Sequence, residues 1–330
     1  MDRSTLPLIT IGIPVFNGAA TIERSISSVQ AQTWGGPLEI LVVDDGSTDR
    51  TPTILEALRA ADPQIKIIRH NKNLGRPAAR NTILNNASGE FLAWLDADDE
   101  WHREKLEYQM EAFAAQREVF GNDVITMCPF EWRWSGRQKG RLVNPRITDD
   151  NLRDFLSGDL GAYLWSMLGP TETFTRTGSF DEKLPRLQDL DFMIRFAERG
   201  GKVITTRKNI PLCIYHKTDD SKSGRAVKDS LDHIWNKHRT SFEKYGKKFS
   251  LSCRRKHTKL IARHSLANRE ILYGTYHKIL SVLLKIQLLL DSVDRKWIRR
   301  KNENLTSSDM KLGDSTEKVS NLTMIRPPPE

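Results

Sequence analysis

The chain has 330 residues, of which 38% are hydrophobic and 28% are charged. This composition argues against intrinsic disorder and fits one large or two ordinary soluble domains. The three cysteines are odd in number and lie outside any C-x-x-C spacing, so neither a disulfide framework nor a thiolate zinc site is favoured, and we expect a reducing cytoplasm. No basic region leads into a long apolar one at the N-terminus, so no secretory signal is expected.

The net charge of +9 is concentrated in the last third of the chain. Residues 1–224 contain 28 Lys and Arg against 31 Asp and Glu, a net charge of −3, whereas residues 225–330 contain 23 against 11, a net charge of +12. Such a basic region suits an acidic partner, either anionic lipid or nucleic acid, and a solvated helical surface is the alternative. Nucleic acid is the disfavoured partner because no nucleic-acid-binding module is recognisable.

Strand-like and helix-like patterns alternate through the first 115 residues, which predicts a parallel sheet covered by helices. We expect strands over residues 8–13, 38–43, 65–68 and 91–95. Apolar residues recur at helical spacing between and after these strands, as in Ile22, Ile26 and Val29 and again in Leu106, Met110 and Phe113. Thr51 followed by Pro52 predicts a helix with threonine as N-cap and proline at the first helical position.

Two aspartate clusters follow predicted strands, Asp44-Asp45 after the second and residues 96–99 after the fourth. Three carboxylates within four residues repel one another unless a cation or a donor-rich ligand lies among them, although acidic residues also mark ordinary turns. Ligands of open parallel sheets bind outside the carboxyl ends of the strands, so we expect both clusters and residues 14–17 at one edge. Neither a dinucleotide fingerprint nor a P-loop is present, which predicts that phosphate is held largely by a metal ion.

These motifs together resemble the family 2 glycosyltransferases, which are inverting enzymes that use nucleotide sugars. The resemblance rests on matching segments at residues 13–17, 25–33, 42–49, 73–81, 87–90, 95–99, 178–182 and 188–192. It implies an α/β GT-A fold with a mostly parallel, doubly wound nucleotide-binding sheet. We expect a nucleotide-sugar-binding half at residues 1–115, an acceptor-binding and catalytic-base half at residues 116–224, and a basic, mainly helical extension with a disordered tail at residues 225–330.

The resemblance also implies roles for single residues. Asp45 would accept a hydrogen bond from the nucleotide base, Asp96 would contact the ribose, and Asp98 would bind Mn²⁺ or Mg²⁺. Asp99 is placed to replace or assist Asp98 at the metal, and His216 would complete the metal shell, donate to phosphate or serve the structure only. The residues expected to flank the nucleotide are Pro14, Phe16, Asn17, Gly75 and Arg80.

An acceptor hydroxyl needs a base to remove its proton as it attacks the sugar carbon. Asp189 matches the acid of the family's Glu-Asp motif and is the first candidate, although Gln188 stands where the glutamate is usual. Asp191 is the second candidate, and an N-terminal helix cap is the alternative role for both. An aromatic group would either stack on acceptor sugars or pack in the core; it comprises Trp132, Trp134, Tyr163 and Trp165.

The resulting expectation is a glycosyltransferase that moves a sugar from a nucleoside-diphosphate sugar, with a UDP-sugar favoured, to an acceptor hydroxyl with inversion. The acceptor would be a glycan or a lipid-linked glycan in bacterial surface polysaccharide or glycolipid synthesis. The alternative is a non-catalytic module that binds nucleotide sugars or polyanions.

The apolar segment over residues 271–290 predicts an amphipathic helix, because its unbroken apolar part is too short to span a bilayer. Basic residues follow it between positions 295 and 301. Such a helix would attach peripherally to an anionic membrane surface, or pack within the protein or against a second copy. The expected location is therefore the cytoplasm, with the inner face of the cytoplasmic membrane as a peripheral site.

Overall fold

The computed structural model describes residues 6–134, 140–206, 208–217 and 223–291. The basic segment at residues 295–301 and the tail expected to be disordered lie outside these ranges. The strands of the described ranges are, in chain order, β1 (Ile9–Val15), β2 (Leu38–Asp44), β3 (Ile65–Arg69), β4 (Phe91–Trp94), β5 (Glu100–Trp101), β6 (Val124–Met127), β7 (Phe130–Trp134), β8 (Arg141–Val143), β9 (Met167–Pro170), β10 (Lys202–Thr205) and β11 (Cys213–Lys217).

Helices cover most of the remaining described residues. They are α1 (Ile22–Gln30), α2 (Thr51–Ala61), α3 (Arg76–Asn86), α4 (Lys105–Phe120), α5 (Asn151–Ser157), α6 (Thr171–Thr177), α7 (Gln188–Glu198), α8 (Gly224–Lys237), α9 (Arg239–Lys244), α10 (Gly246–Ala267) and α11 over residues 271–291. None of them is both long enough and apolar enough to cross a membrane, within the residues described.

A seven-stranded sheet with the order β10-β6-β9-β4-β1-β2-β3 forms the centre of the fold. Its strands are parallel except β9, which runs antiparallel to β4 and β6. The α/β class and the mostly parallel sheet expected from the sequence are thus confirmed. Strands of both expected halves of the chain build this one sheet. A second sheet, β5-β11-β7-β8, lies beside it and brings residues near 100, 130 and 215 together.

The two faces of the central sheet carry separate apolar layers, because successive strand residues point to opposite sides. In β2, Leu41 and Val43 pack in the layer that includes α3, α6 and α7, whereas Ile40 and Val42 pack in the layer that includes α1 and α4. Residues of the extension, including Ile234 from α8, join the first of these layers. The helices of the extension are therefore continuous with the core beneath α7.

The start of α2 differs from expectation by one residue. Arg50 is the N-cap, Thr51 is the first helical residue and Pro52 is the second. Asp49 explains the difference, because its Oδ1 accepts hydrogen bonds from Thr51 N at 2.9 Å and from Thr51 Oγ1 at 2.5 Å. The aspartate therefore supplies the cap that the sequence analysis gave to threonine.

Candidate active site

The segments that follow β1, β2 and β4 meet at one edge of the central sheet. Val15 pairs with Asp44 at the ends of β1 and β2, and Gly12 pairs with Trp94 at the end of β4. Beyond the strand ends, Asn17 N donates to Ser47 Oγ at 2.9 Å and Asn17 Oδ1 accepts from Thr48 N at 2.8 Å. The structure therefore places the two aspartate clusters and residues 14–17 at the common edge, as expected for a parallel sheet.

Asp45 is buried, with 3% of its surface exposed, and its carboxylate is engaged by the protein. Oδ1 accepts from Leu74 N at 2.9 Å and lies 2.7 Å from His70 Nδ1, while Oδ2 accepts from Gly75 N at 2.8 Å. These bonds fix the loop before α3 against the end of β2. A carboxylate has about four lone-pair sites, so contact with a nucleotide base would use the remaining capacity and stays a prediction.

The other residues expected around the nucleotide surround this loop. Pro14 lies within β1 opposite Val43, and Phe16 is 46% exposed just beyond the strand. Asn17 has a φ of +52°, a conformation that asparagine tolerates better than most residues. Gly75 is the N-cap of α3 with a φ of +96°, which a residue with a Cβ rarely adopts. The exposed Phe16 ring is therefore the surface of this group that is free to stack on a base.

Arg80 joins the Asp96 cluster to helix α7. Its side chain is 2% exposed, and its Nη2 lies 3.2 Å from Asp96 Oδ1. Its Nε and Nη1 are buried without a hydrogen-bond partner among the described residues. The guanidinium lies 5.7 Å from the centre of the Phe180 ring, and Phe180 is held to α3 by two bonds with Asn81, at 2.7 and 3.1 Å. Among the described residues, two donor nitrogens of Arg80 are therefore unused beside Asp96.

Asp189 stands at the second position of α7, within reach of the charge of Arg80. Burial raises the pKa of its carboxyl group, and the neighbouring Arg80 charge opposes that rise. The residue before the helix, Leu187, has a φ of +60°, which is uncommon for a leucine. Asp96 also raises the pKa of Asp189, so these two acids share one electrostatic environment.

Asp191 lies two residues further along α7 and has a different setting. Its side chain is fully buried, and it lies 2.9 Å from both His238 Nε2 and Lys237 Nζ and 3.0 Å from Arg195 Nε. Burial alone would raise the pKa of Asp191, but its hydrogen bonds with His238 and Lys237 and the nearby charges lower it to about 2. Asp191 therefore anchors α7 to the extension, and these contacts do not support its expected role as a base.

The acids expected at a metal are close enough to influence one another. Burial raises the pKa of Asp99 well above its usual range, and Asp98 and Asp96 raise it further. Asp99 Oδ1 accepts from His216 N at 3.0 Å, while its Oδ2 is buried without a hydrogen-bond partner among the described residues. The His216 ring contacts Glu100 instead, with Nε2 at 2.5 Å from Oε1.

Carboxylate oxygens are the ligands that Mg²⁺ and Mn²⁺ prefer, and mutual repulsion among acids is what a bound cation would relieve. The unsatisfied Oδ2 of Asp99 fits such an ion. Within the described ranges, however, no three His, Cys, Asp or Glu side chains converge into a complete metal site. Phosphate oxygens of a bound diphosphate would therefore have to supply further ligands.

A contiguous aromatic group lies on the second sheet, next to the Asp99 segment. Trp165 stacks on Tyr215 with ring centres 5.3 Å apart and planes 17° apart, and Trp132 lies 5.8 Å from Tyr215. Trp165 is only 4% exposed, so it packs in the core. Trp132 and Trp134 are partly exposed, and Lys217 Nζ lies 5.9 Å from each ring centre. The half-buried tryptophans are therefore the part of this group that an acceptor sugar could reach.

A cavity of about 670 Å³ lies elsewhere, near the start of β1 and β4. Its lining includes Pro7, Glu90 and Phe91, which precede or begin these strands, and Arg117 from α4. The cavity is therefore at the amino-terminal side of the sheet and does not touch the acids described above.

Residues 10–169 match the family model described as glycosyl transferase family 2. The chain carries a glycosyl transferase family 2 domain. The aspartate pair at the end of β2 and the acids after β4 both lie within the matched residues of this family 2 domain.

Two curated relatives are similar to the family 2 domain. An uncharacterized glycosyltransferase of Rickettsia typhi, RT0329, is 33% identical over 194 residues, which is 58% of this chain and 58% of that protein. The chain therefore spans little more than half the length of that relative. The Escherichia coli protein WfgD, named as a UDP-Glc:alpha-D-GlcNAc-diphosphoundecaprenol beta-1,3-glucosyltransferase, is 44% identical over 103 residues, or 31% of this chain and 40% of WfgD.

A solved structure shares the fold. Staphylococcus aureus TarS 1–349, in a crystal structure in complex with UDP-GlcNAc, aligns with a TM-score of 0.51 over 86% of this chain and 90% of that chain, at 16% sequence identity. At this identity the likeness shows the fold alone, and it confirms the GT-A architecture expected from the sequence.

Two features of the candidate site were not predicted from the sequence. Arg76, for which the sequence predicted no role, lies close to the acids, because Asp96 raises the pKa of its guanidinium and Asp98 and Asp189 add to the effect. Its position directly after Gly75, in a segment that matched the family, was the available signal. The contacts of Lys237 and His238 with Asp191 had no local signal, since 46 and 47 residues separate these partners.

Proposed function

We propose that this chain transfers a sugar from a nucleoside-diphosphate sugar to an acceptor hydroxyl with inversion at the anomeric carbon. The observation that carries the proposal is the grouping of Asp96, Arg80 and Asp189 at the carboxyl edge of the sheet. Arg80 is buried 3.2 Å from Asp96, and the charges of both act on Asp189, whose carboxyl group has a raised pKa and comes from the distant start of α7. An acid of raised pKa beside a second acid and a buried arginine is typical of catalytic sites.

The proposed base is Asp189 and not Asp191. A general base works best when its pKa approaches the working pH, and burial shifts the pKa of Asp189 in that direction. The pKa of Asp191 is shifted the other way, and its oxygens are held by three cationic side chains. Asp189 would take the acceptor proton while the acceptor oxygen forms its bond to the sugar carbon and the bond from that carbon to the diphosphate breaks.

The arginines would serve the departing diphosphate. Arg80 has two buried donor nitrogens without a partner among the described residues. Arg76 lies close enough to Asp96 and Asp189 for their charges to raise its pKa. Guanidinium groups match phosphate oxygens in geometry and charge. Negative charge that develops on the leaving group would therefore meet positive charge already held in place, which is the main means by which such sites lower a barrier.

Mn²⁺ or Mg²⁺ is proposed as the cofactor, held by Asp98 and Asp99. When bound, the ion would supply neutralisation of the diphosphate charge. The support is the unsatisfied Oδ2 of Asp99 and the repulsion that raises the pKa of that residue. His216 would join only through Nδ1, because Glu100 contacts its Nε2.

The donor is proposed to be a UDP-sugar and the acceptor a glycan or lipid-linked glycan of bacterial surface polysaccharide synthesis. WfgD, the relative at 44% identity over 103 residues, is named as acting with UDP-Glc on a diphosphoundecaprenol-linked sugar. A Bacillus subtilis relative, 38% identical over 108 residues, is named as a putative teichuronic acid biosynthesis glycosyltransferase. The aromatic side chains of Trp132 and Trp134 would form the surface on which acceptor sugars stack.

The test is a donor screen combined with two variants. Purified wild type is mixed with UDP-sugars, GDP-sugars and dTDP-sugars and Mn²⁺, and release of the nucleoside diphosphate is followed with a lipid-linked GlcNAc acceptor. Asp189→Asn is expected to lower turnover by about 10²- to 10⁴-fold, the usual contribution of a general base, while UDP still raises the melting temperature. Glu172→Gln, which alters an acid that is 67% exposed on α6, is the matched control and should leave turnover unchanged.

Two results would count against the proposal. Donor binding without turnover by the wild type across the panel would favour the non-catalytic binding module. Turnover that survives Asp189→Asn would remove Asp189 from the chemistry.

A further inference from the structure

Helix α11 has two unlike faces. Its inner face is buried in the protein, with His277 at 3% and Ser281 at 8% exposed. Its outer face presents large apolar side chains at the spacing i, i+4, i+7, i+11, i+14 and i+18, which is one side of an α-helix. These residues are between 47% and 89% exposed and form what we call the outer stripe: Leu272, Tyr276, Ile279, Leu283, Ile286 and Leu290.

The outer stripe is too large to be an ordinary feature of a soluble surface. Val282 and Leu289, at 53% and 55% exposed, widen it on one side. Together the eight side chains expose on the order of 900 Å², whereas the largest apolar patch of a typical monomer is roughly 300–600 Å². The described part of α11 is about 31 Å long at 1.5 Å per residue, so the stripe runs along a rod that could lie flat on a surface.

The charges around the outer stripe indicate what covers it. Lys278 and Lys285 are exposed and one heptad apart, and on a helical projection they lie between the outer stripe and the buried face. Residues 225–291 contain 15 Lys and Arg against 5 Asp and Glu, a net charge of +10. Lysines beside an apolar stripe on a basic layer are the arrangement that binds anionic lipid surfaces.

A second copy of the chain and the segment that follows α11 are less suitable partners for the outer stripe. Two copies facing each other through this stripe would bring two basic layers together, and like charges oppose such a symmetric contact. Residues 292–330 contain ten Leu, Ile, Val, Met or Trp residues among 39, and three of the ten lie in the basic stretch before residue 302, so this segment offers little apolar surface to cover eight large side chains.

We propose that α11 docks the protein on a membrane surface rich in anionic lipid, with the outer stripe in the acyl boundary and Lys278 and Lys285 at the headgroups. This inference deepens the proposed function. Only the purpose of docking rests on that function: docking would hold Asp189 and its neighbours near a lipid-linked acceptor. Docking itself needs neither donor nor acceptor.

The experiment is co-sedimentation of the full chain with vesicles, without nucleotide or acceptor. Wild type is expected to bind vesicles of 70% phosphatidylcholine and 30% phosphatidylglycerol at least tenfold more tightly than pure phosphatidylcholine. The double variant Ile279→Glu with Leu283→Glu should lose at least tenfold in binding to the anionic vesicles. Val119→Glu is the matched control, because Val119 is an apolar residue on α4 that is 71% exposed, and it should bind like wild type.

A second pair of measurements separates the contribution of the lysine charges to vesicle binding from that of the outer stripe. Lys278→Glu with Lys285→Glu should weaken binding to anionic vesicles and leave the weak binding to neutral ones unchanged. Circular dichroism melting of every variant checks that the fold is kept, which is expected because all the altered side chains are exposed.

Three outcomes would overturn the proposal. Wild type that stays in the supernatant at every lipid composition would mean that another part of the chain covers the stripe. A wild-type dimer in light scattering that becomes a monomer in the glutamate double variant would assign the stripe to a second copy. Equal losses in Val119→Glu and in the double variant would show a nonspecific effect of added charge. A protein that binds vesicles but transfers no sugar would instead overturn the proposed function alone.

Discussion

The two acids of α7 should respond in opposite ways when each is replaced by its amide. Asp191→Asn removes a fully buried charge that lies within 3.0 Å of cationic groups of His238, Lys237 and Arg195. The folded protein holds the pKa of Asp191 at about 2 against 3.8 for an unperturbed aspartate. At 1.36 kcal/mol for each pKa unit, this shift corresponds to about 2 kcal/mol of folding free energy at pH 7.

The sign of the pH dependence follows from the lowered pKa. A carboxyl group whose pKa is depressed in the folded state stabilises the fold above the unfolded value, and this contribution is lost as the pH falls through the folded value. The difference in unfolding free energy between wild type and Asp191→Asn should therefore fall from about 2 kcal/mol at pH 7 to about 1 kcal/mol at pH 3. Urea unfolding followed by circular dichroism at the two pH values measures both numbers.

Asp189→Asn should show the reverse pattern. Burial raises the pKa of Asp189, so its charged form is unfavourable in the fold at neutral pH and the amide should leave stability unchanged or slightly higher. Its turnover should fall as described above, whereas Asp191→Asn should keep most of its turnover at temperatures where it remains folded. If Asp191→Asn is as stable as wild type, or if it loses turnover while Asp189→Asn keeps it, the distinction between anchor and base is refuted.

Three further substitutions test the site's framework. Asp45→Ala leaves Leu74 N and Gly75 N without their acceptor, and it should lower the unfolding free energy by about 2–3 kcal/mol in urea titrations; a loss below 0.5 kcal/mol would contradict this. Gly46→Ala should destabilise more than a typical surface change, by about 2 kcal/mol or more in the same titration, because its φ is +73° and an added Cβ would lie 2.5 Å from the backbone of Lys72; a wild-type midpoint would count against it. Lys105 lies buried in α4, and burial lowers its pKa from 10.5. Lys105→Met should therefore melt at or above the wild-type temperature at pH 7, and the difference in melting temperature should narrow as the pH rises toward 10.5, because the wild type loses an unfavourable charge; a widening difference would be inconsistent with that cause.

The sequence was sufficient to predict the first four strands of the sheet and the edge of the sheet at which the acids lie. Alternation of strand and helix patterns predicted β1 to β4 within two residues at each end, because each strand is a short apolar run bounded by turn residues. The carboxyl edge followed from the general rule for parallel sheets. Motif resemblance then supplied Asp96 and Asp189, and the structure places Arg80 3.2 Å from Asp96 with its charge acting on Asp189.

The features of the site that the sequence did not predict depend on contacts between residues far apart in the chain. Asp189 and Asp191 are two acids in the first turn of one helix, and no local pattern shows that Lys237 and His238 contact Asp191 and lower its pKa while burial raises the pKa of Asp189. Likewise, nothing near Asp45 in sequence shows that backbone donors 29 and 30 residues away occupy its carboxylate. Local patterns carry no information on such partners.

The ion cluster around Asp191 also affects how this chain can be recombined with related proteins. Lys237 and His238 belong to the extension, yet they neutralise a carboxylate inside the helix that carries the proposed base. A chimaera that grafts residues 116–224 onto another member's C-terminal part would leave that carboxylate facing Arg195 alone among these three cations. Domain shuffling should therefore succeed only when the crossover falls after residue 238, so that helix and counter-charges are inherited as a unit.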